Sequence, residues 1–270
     1  MPTAAQGWPD WGWPEPDDDL VALQVRLGEA AMRALATDEC RPSGEPLVLG
    51  GCFVVHARGT PGPGRQGDPA WAAAVAWRPG REANGPARRT DRHLRGVSGE
   101  DGPRRADDVL AQCVLTGRAT APYVPGLLAG REGPLLAAAL DGLDVRPDVV
   151  LVDASGRDHP RGAGLAVHLG AATGLPTVGI TRRPLLATGA PPELRRGAIS
   201  ALRIADRCVA FWVCTRSGVR PLVAHAGWRT SPETAARLAL EASTPAARTP
   251  VPLQEARRVA HEARSGSPAG

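Results

Sequence analysis

Two acidic side chains near the middle of this 270-residue chain have the surroundings that phosphodiester hydrolysis needs. Asp153 closes the apolar run Val149-Val150-Leu151-Val152 and opens a glycine-containing loop, which places it at the carboxyl end of a buried strand, where α/β proteins gather their sites. Glu132 stands in Arg131-Glu132-Gly133-Pro134, within the first two turns of an apolar helix, and faces the sheet if Leu128, Leu135 and Leu136 form the buried stripe. Singly, Asp153 also reads as a turn or capping aspartate and Glu132 as a glutamate favoured by the helix dipole. Paired, they can hold a hard divalent cation such as Mg²⁺ or Mn²⁺, which neutralises charge developing on a phosphate and generates hydroxide.

A second group suits a nucleic-acid strand. Tyr123, the only tyrosine, lies in Pro122-Tyr123-Val124-Pro125-Gly126, where the prolines stiffen the backbone around it. A rigid aromatic can fill the gap left when a base leaves its stack. The loop from Ala154 through Gly156, Arg157, His159, Pro160 and Arg161 to Gly162 enters a helix amino terminus, whose backbone amides suit a phosphate or an extruded base. Glycines in such a loop also serve simply to turn the chain.

These residues need a mixed α/β scaffold. Residues 1–18, with prolines, tryptophans and an acidic run, read as a mobile arm ahead of a domain over 19–265, with 266–270 as a tail. A helix capped by Asp18 runs to about Leu35, and three strands follow at Pro46 to Ala57, Ala70 to Arg78 and Val109 to Leu115. The Gly-, Pro- and Arg-rich stretch 80–105 reads as a disordered loop. A helix from Gly126 to Leu143 precedes a βαβ unit: strand Asp148 to Asp153, helix Gly162 to Thr173, strand Pro176 to Thr181. A hairpin of Cys208 to Thr215 and Val219 to Ala226 and helices Pro232 to Glu241 and Leu253 to Arg264 complete it. Antiparallel strands followed by a parallel crossover are the order of a ribonuclease-H-like sheet, though periodicity alone establishes only mixed α/β.

No apolar run is long enough to cross a bilayer, and the first residues lack a basic segment leading into an apolar one. Five cysteines without a Cys-x-x-Cys pair indicate neither a disulfide framework nor a zinc knuckle, so a cytoplasmic protein is expected. Every basic side chain apart from histidine is arginine, and from Thr181 onward fourteen arginines stand against six acids. Such a basic half attracts phosphate backbones, although arginines on solvated helix faces would give the same count.

In combination these segments resemble the endonuclease V family, from about Pro46 to Arg264. Pro-Tyr-Val-Pro-Gly is similar to its base wedge, Arg-Glu-Gly-Pro to its glutamate helix, Leu-Val-Asp to its metal aspartate and His159-Pro160-Arg161 to its histidine loop. His261, in Arg257-Arg258-Val259-Ala260-His261, is similar to its late histidine. The resemblance implies a ribonuclease-H-like sheet with helices on both faces and Mg²⁺-dependent nicking on the 3′ side of inosine. It implies Asp153 and Glu132 as metal ligands, His261 near the metal-bound water and Arg182, in place of a lysine, near the phosphate. Single- or double-stranded DNA or RNA containing inosine is the expected partner of a monomeric, non-membrane protein.

The chain also departs from that pattern. Where the family reads Gly-x-Asp on its first strand and gains a central carboxylate, this chain reads Gly50-Gly51-Cys52. A thiol binds Mg²⁺ poorly and stays largely protonated without a nearby cation. Binding of inosine-containing strands without cleavage is therefore the alternative function. Cys52 and His56 share a strand face and with Asp153 would favour Zn²⁺, while Asp68 reaches the site only if its loop folds back. Trp228 replaces a histidine, and Ala154 a glycine beside the inosine pocket.

Overall fold

The structure, a computed structural model, describes residues 13, 19–34, 47–59, 62, 64–78 and 108–266. Most of the expected arm and the whole of the stretch 80–105 lie outside these residues. The described part contains helix α1 (Leu20–Ala34), strands β1 (Leu49–His56), β2 (Pro69–Trp77) and β3 (Val109–Arg118), helix α2 (Leu128–Asp141), strand β4 (Val149–Val152), helix α3 (Leu165–Thr173) and strand β5 (Thr177–Thr181). Strands β6 (Ile199–Ile204), β7 (Arg207–Val213) and β8 (Leu222–Ala226) and helices α4 (Pro232–Glu241) and α5 (Val251–Gly266) follow.

One eight-stranded sheet has the order β3-β2-β1-β4-β5-β8-β7-β6. The first three strands pair antiparallel, β1, β4 and β5 run parallel, and β8, β7 and β6 return antiparallel. This is a ribonuclease-H-like sheet extended by a three-stranded meander. The sequence reading missed β6 because Ile-Ser-Ala-Leu-Arg-Ile is an edge strand, interrupted by Ser200 and Arg203 and with a register shift, and shows no long apolar run.

Strand alternation divides the core into two layers. Val149 and Leu151 pack with Val178, Leu238 and Leu253 under α4 and α5, whereas Val150, Val152, Cys52 and Val54 pack with Leu136, Leu140, Leu165 and Leu169 under α2 and α3. Both faces are thus covered by helices. Alanines at 70, 72, 74 and 76 keep β2 thin enough for close approach by its neighbours. Gly51 does the same for α5, since a Cβ there would overlap the backbone of Pro252.

Two local devices place the site helices. Asp18 lies outside the described residues, and Asp19 caps α1: its carboxylate accepts the N–H groups of Val21 and Ala22 at 2.9 and 3.0 Å. Inside α2, Pro134 has no N–H for the carbonyl of Gly130, and the Thr120 hydroxyl donates there instead at 2.5 Å. The segment leading to Tyr123 is thereby tied to the helix that carries Glu132. At one point the N-terminal segment is fixed as well, for Trp13 stacks on His168 of α3 at 4.5 Å and takes space that only a glycine at 133 leaves open. No helix among the described residues is long and apolar enough to cross a membrane.

Candidate nucleic-acid site

Pro122, Tyr123, Val124 and Pro125 are exposed before α2, with Tyr123 43 % and Val124 41 % accessible. An apolar pair left in water beside a pocket favours contact with a partner over the role of core tyrosine. The turn fits type II geometry: the Leu127 N–H donates to the Val124 carbonyl, Pro125 precedes Gly126, and Gly126 has φ of +79°.

Three side chains converge on the Gly126 carbonyl. Arg161 Nη2, Gln24 Nε2 and His159 Nε2 lie 2.8, 3.1 and 3.1 Å from it, and Arg161 Nε donates to Gln24 Oε1 at 2.7 Å. The His-Pro-Arg loop therefore acts as a clamp on the turn. His159 is buried and its pKa is lowered, by burial first and by Arg161 second, so it sits neutral and donates through Nε2. Gln24 was invisible in the sequence because one polar residue in an amphipathic helix reads as surface; here it is 1 % exposed.

Beside the clamp opens a pocket of about 130 Å³, lined by Gln24, Tyr123, Val124, His159, Ala154 and Leu185 among others. The loop after β4 forms its floor differently from the expectation. The helix starts at Leu165, and the Gly164 and Ala166 N–H groups already donate to the carbonyls of Gly156 and Ser155. Gly156 is required because a Cβ would overlap the Ala226 carbonyl. Arg157 does not face a ligand either, for it is buried and donates to the carbonyls of Gly227 and Thr230 at 3.1 Å. Trp228 is core, packed with Leu27, Ala163 and Val167, while Ala154 does reach the pocket wall.

The carboxylates lie next to this pocket, at the ends of β1 and β4. Cys52 pairs in register with Val152, directly before Asp153. Its thiol is fully buried and its pKa is driven upward by burial first and then by the charges of Asp153 and Glu132, so it is neutral and close to both. Glu132 approaches from the α2 side, with His56 Nε2 3.2 Å from Oε1. The buried stripe of α2 is Ala129, Gly133, Leu136, Ala137 and Leu140, with Leu128 and Leu135 only partly buried, and Glu132 lies at its margin. Asp153 leans to the α5 side, where Arg257 Nη2 meets its Oδ2 at 2.5 Å. Phe53 lies beneath both α5 side chains, 4.9 Å from the Arg257 guanidinium and 5.8 Å from the His261 ring.

This set does not fit a hard divalent cation. It offers two carboxylates, one already in an ion pair, and a neutral thiol where the resemblance calls for a third, while such ions require several oxygen ligands. Among the described residues no three His, Cys, Asp or Glu side chains stand together so as to hold a metal. The Zn²⁺ alternative gains nothing from His56, which Glu132 and Arg131 engage. Asp68 is turned away, in a bond with Arg131 at 2.9 Å. His261 accepts from Arg264 Nη2 at Nδ1, and its pKa is lowered by burial, then by Arg264, Arg257 and Arg58.

A buried cluster that sequence reasoning missed supports the pocket's far wall. Asp158, fully buried, accepts the backbone N–H groups of Leu185, Leu186 and Ala187 at 2.7 to 2.8 Å, and its Oδ2 faces His225 Nδ1 at 3.7 Å. The loop so held carries Arg182, exposed beyond β5. Its charge joins that of Arg220 and the larger effect of burial in lowering the pKa of Arg248. Burial pushes His225 down to about 4, against the attraction of Asp158. The unfolded chain takes up this proton near pH 6.5 and the folded chain only near the lowered value, so stability is full above about 6.5 and falls towards acid. The loss should be about 2 kcal/mol between roughly pH 7 and pH 5. Urea melts of the protein and of His225→Gln test this: the variant should lose less on acidification, and equal losses would remove His225 as the cause.

Known proteins share this fold. The family model for Endonuclease V matches residues 104–258. The Endonuclease V of Streptomyces coelicolor is 44 % identical over 142 residues, covering 53 % of this chain and 60 % of that protein. The Endonuclease V of Alkalilimnicola ehrlichii is 40 % identical over 152 residues, covering 56 % and 66 %. The chain thus spans between about half and two thirds of the length of the first such relatives. Over 96 % of both chains it superposes on the crystal structure of Endonuclease V from Streptomyces avermitilis, with a TM-score of 0.70 and 28 % identity. It shares the fold of Ciona intestinalis Endonuclease V, solved with a 24mer DNA containing an inosine followed by a ribo-adenosine, at a TM-score of 0.66, 18 % identity and coverage of 91 % and 95 %. With more than half of its length matched by the family model, the chain belongs to the endonuclease V family.

Proposed function

We propose that this protein recognises inosine-containing strands of DNA or RNA through the Tyr123 turn and the adjoining pocket, and that hydrolysis at the neighbouring carboxylates is strongly reduced or lost. One observation carries the second half: the buried Cys52, in register with Val152 directly before Asp153, puts a thiol where metal chemistry needs an oxygen anion. Family membership and the inosine-containing DNA bound by the Ciona protein support the first half. In this reading Tyr123 and Val124 supply the stacking surface, the Gly126 clamp holds it rigid, and Arg182, exposed beyond β5, is the group proposed for the phosphate.

A second reading, metal-dependent nicking on the 3′ side of inosine, is favoured by membership of the family and by the presence of Asp153, Glu132 and His261 in the chain. The two separate in one experiment: matched inosine-containing and plain single strands of DNA and RNA, followed for binding and for nicking with Mg²⁺, Mn²⁺ or EDTA. Tighter binding of inosine strands with little nicking supports the proposal. Rapid nicking establishes the second reading, and equal affinity for both strands removes inosine recognition.

Strand binding should also weaken steeply with salt. Neutralising about five phosphates gives a slope of about −4 on double-logarithmic axes. A flat response would exclude the basic C-terminal half as a phosphate-binding surface.

A further inference from the structure

We infer that Arg257 is the resident cation of this site: its guanidinium takes the charge-neutralising place beside Asp153, closes the site to Mg²⁺ and Mn²⁺, and with Arg264 and His261 forms a metal-independent seat for a strand phosphate. Closure to metal follows from the chain's own residues and its family, whereas the phosphate seat rests on the reading above.

Several observations converge. The 2.5 Å contact with Asp153 is a charge-assisted hydrogen bond between side chains about one third exposed, so the pair lies at the mouth of the site. Phe53 supports the guanidinium from below at 4.9 Å, which fixes its plane. Gly51 lets the start of α5 press against β1, and one turn of helix then separates Leu253 of the core from Arg257.

Charge balance points the same way. A divalent ion between Asp153 and Glu132 would leave the Arg257 charge uncompensated, because residue 52 is a cysteine and supplies no third carboxylate to absorb it. With Arg257 in place, one carboxylate is neutralised and the other faces His56 at 3.2 Å.

The surroundings also suit an anion. Arg264 donates to the His56 carbonyl at 3.2 Å and to His261 Nδ1, which leaves His261 Nε2 as the protonated nitrogen of a neutral ring and hence a donor. Burial first, and then the charges of Arg264, Arg257 and Arg58, disfavour protonation of His261. A guanidinium with N–H groups beyond the one bonded to Asp153, beside a donor imidazole, matches phosphate oxygens.

Two measurements on the full chain test this. Manganese titration of the free protein, read by the electron paramagnetic resonance of unbound Mn²⁺, should show no saturable site up to about 1 mM, whereas Cys52→Asp/Arg257→Ala should show one, as several carboxylate oxygens then become available. Anisotropy of a labelled inosine-containing single strand should give the same affinity in EDTA and in Mg²⁺. Arg257→Gln should lower the salt slope by about 1, and Arg257→Lys should retain it, a pattern that a purely structural role would not produce. Saturable Mn²⁺ binding by the unaltered protein that Asp153→Asn removes would overturn the inference, as would a several-fold gain of strand affinity on adding Mg²⁺. If inosine and plain strands bind equally, inosine recognition fails while the manganese result still decides whether Arg257 has closed the site.

Discussion

A chain carrying both Cys52→Asp and Arg257→Ala is expected to nick inosine-containing strands in Mg²⁺ roughly thirty-fold faster than the unaltered protein, a change of about 2 kcal/mol in the barrier. The first substitution supplies the missing oxygen ligand beside Val152, and the second frees Asp153 from its ion pair. Cys52→Asp alone should gain less, because Arg257 still competes for Asp153. The new carboxylate would be buried, so without metal the double variant should melt below the parent and Mg²⁺ should raise its midpoint. Asp153→Asn in the same background should abolish the gain. A labelled strand on a denaturing gel gives the rate, and a thermal melt gives the metal response. If Mg²⁺ raises the melting point but the rate stays unchanged, hydrolysis was lost through something other than the ligand set.

Tyr123→Ala should cost about ten-fold in preference for inosine-containing over plain strands. Stacking of one base on an aromatic is worth about 1–3 kcal/mol. Tyr123 is 43 % exposed on a turn fixed from three directions, so the substitution removes a contact surface and leaves the fold intact. Affinity for plain strands, governed by arginines elsewhere, should change little. Competition titrations with the two strands decide the matter, and an equal loss on both would mean that Tyr123 is a general backbone contact and no wedge.

How much of this was legible before the structure varied with the kind of signal. The strand ending at Asp153 and the helix from Pro232 were plain, because a continuous apolar run or a serine before Pro-Glu is a local signal. Cys52 was legible as a departure from a pattern, and the structure places it beside the two carboxylates. Arg257 was not. It lies in an amphipathic helix beside Arg258, which pairs with Glu255 and Glu262 on the solvated face, and nothing in their spacing separates the surface arginine from the one at Asp153. Asp158 and His225 were hidden for a related reason: they lie far apart in the chain, and only the pairing of β5 with β8 brings them together. The loop after β4 showed its turn chemistry in the sequence but not its internal partners: Arg157 and Arg161 satisfy carbonyls of residues far away in the chain.

The clamp on Gly126 also bears on the order in which the molecule assembles. Gln24 and Arg161 are 137 residues apart in sequence, and Gln24 and Gly126 are separated by 102. Contacts of that range form late, after shorter-range pairings have offset the entropy of closing so long a loop. Because α1 rests on the rest of the molecule chiefly through α3 and its neighbours, the clamp on the turn bearing Tyr123 is expected to be completed only when α1 docks there. Competence to hold a strand would then be among the last properties the chain acquires as it folds, and the first surrendered when its amino-terminal helix lifts away.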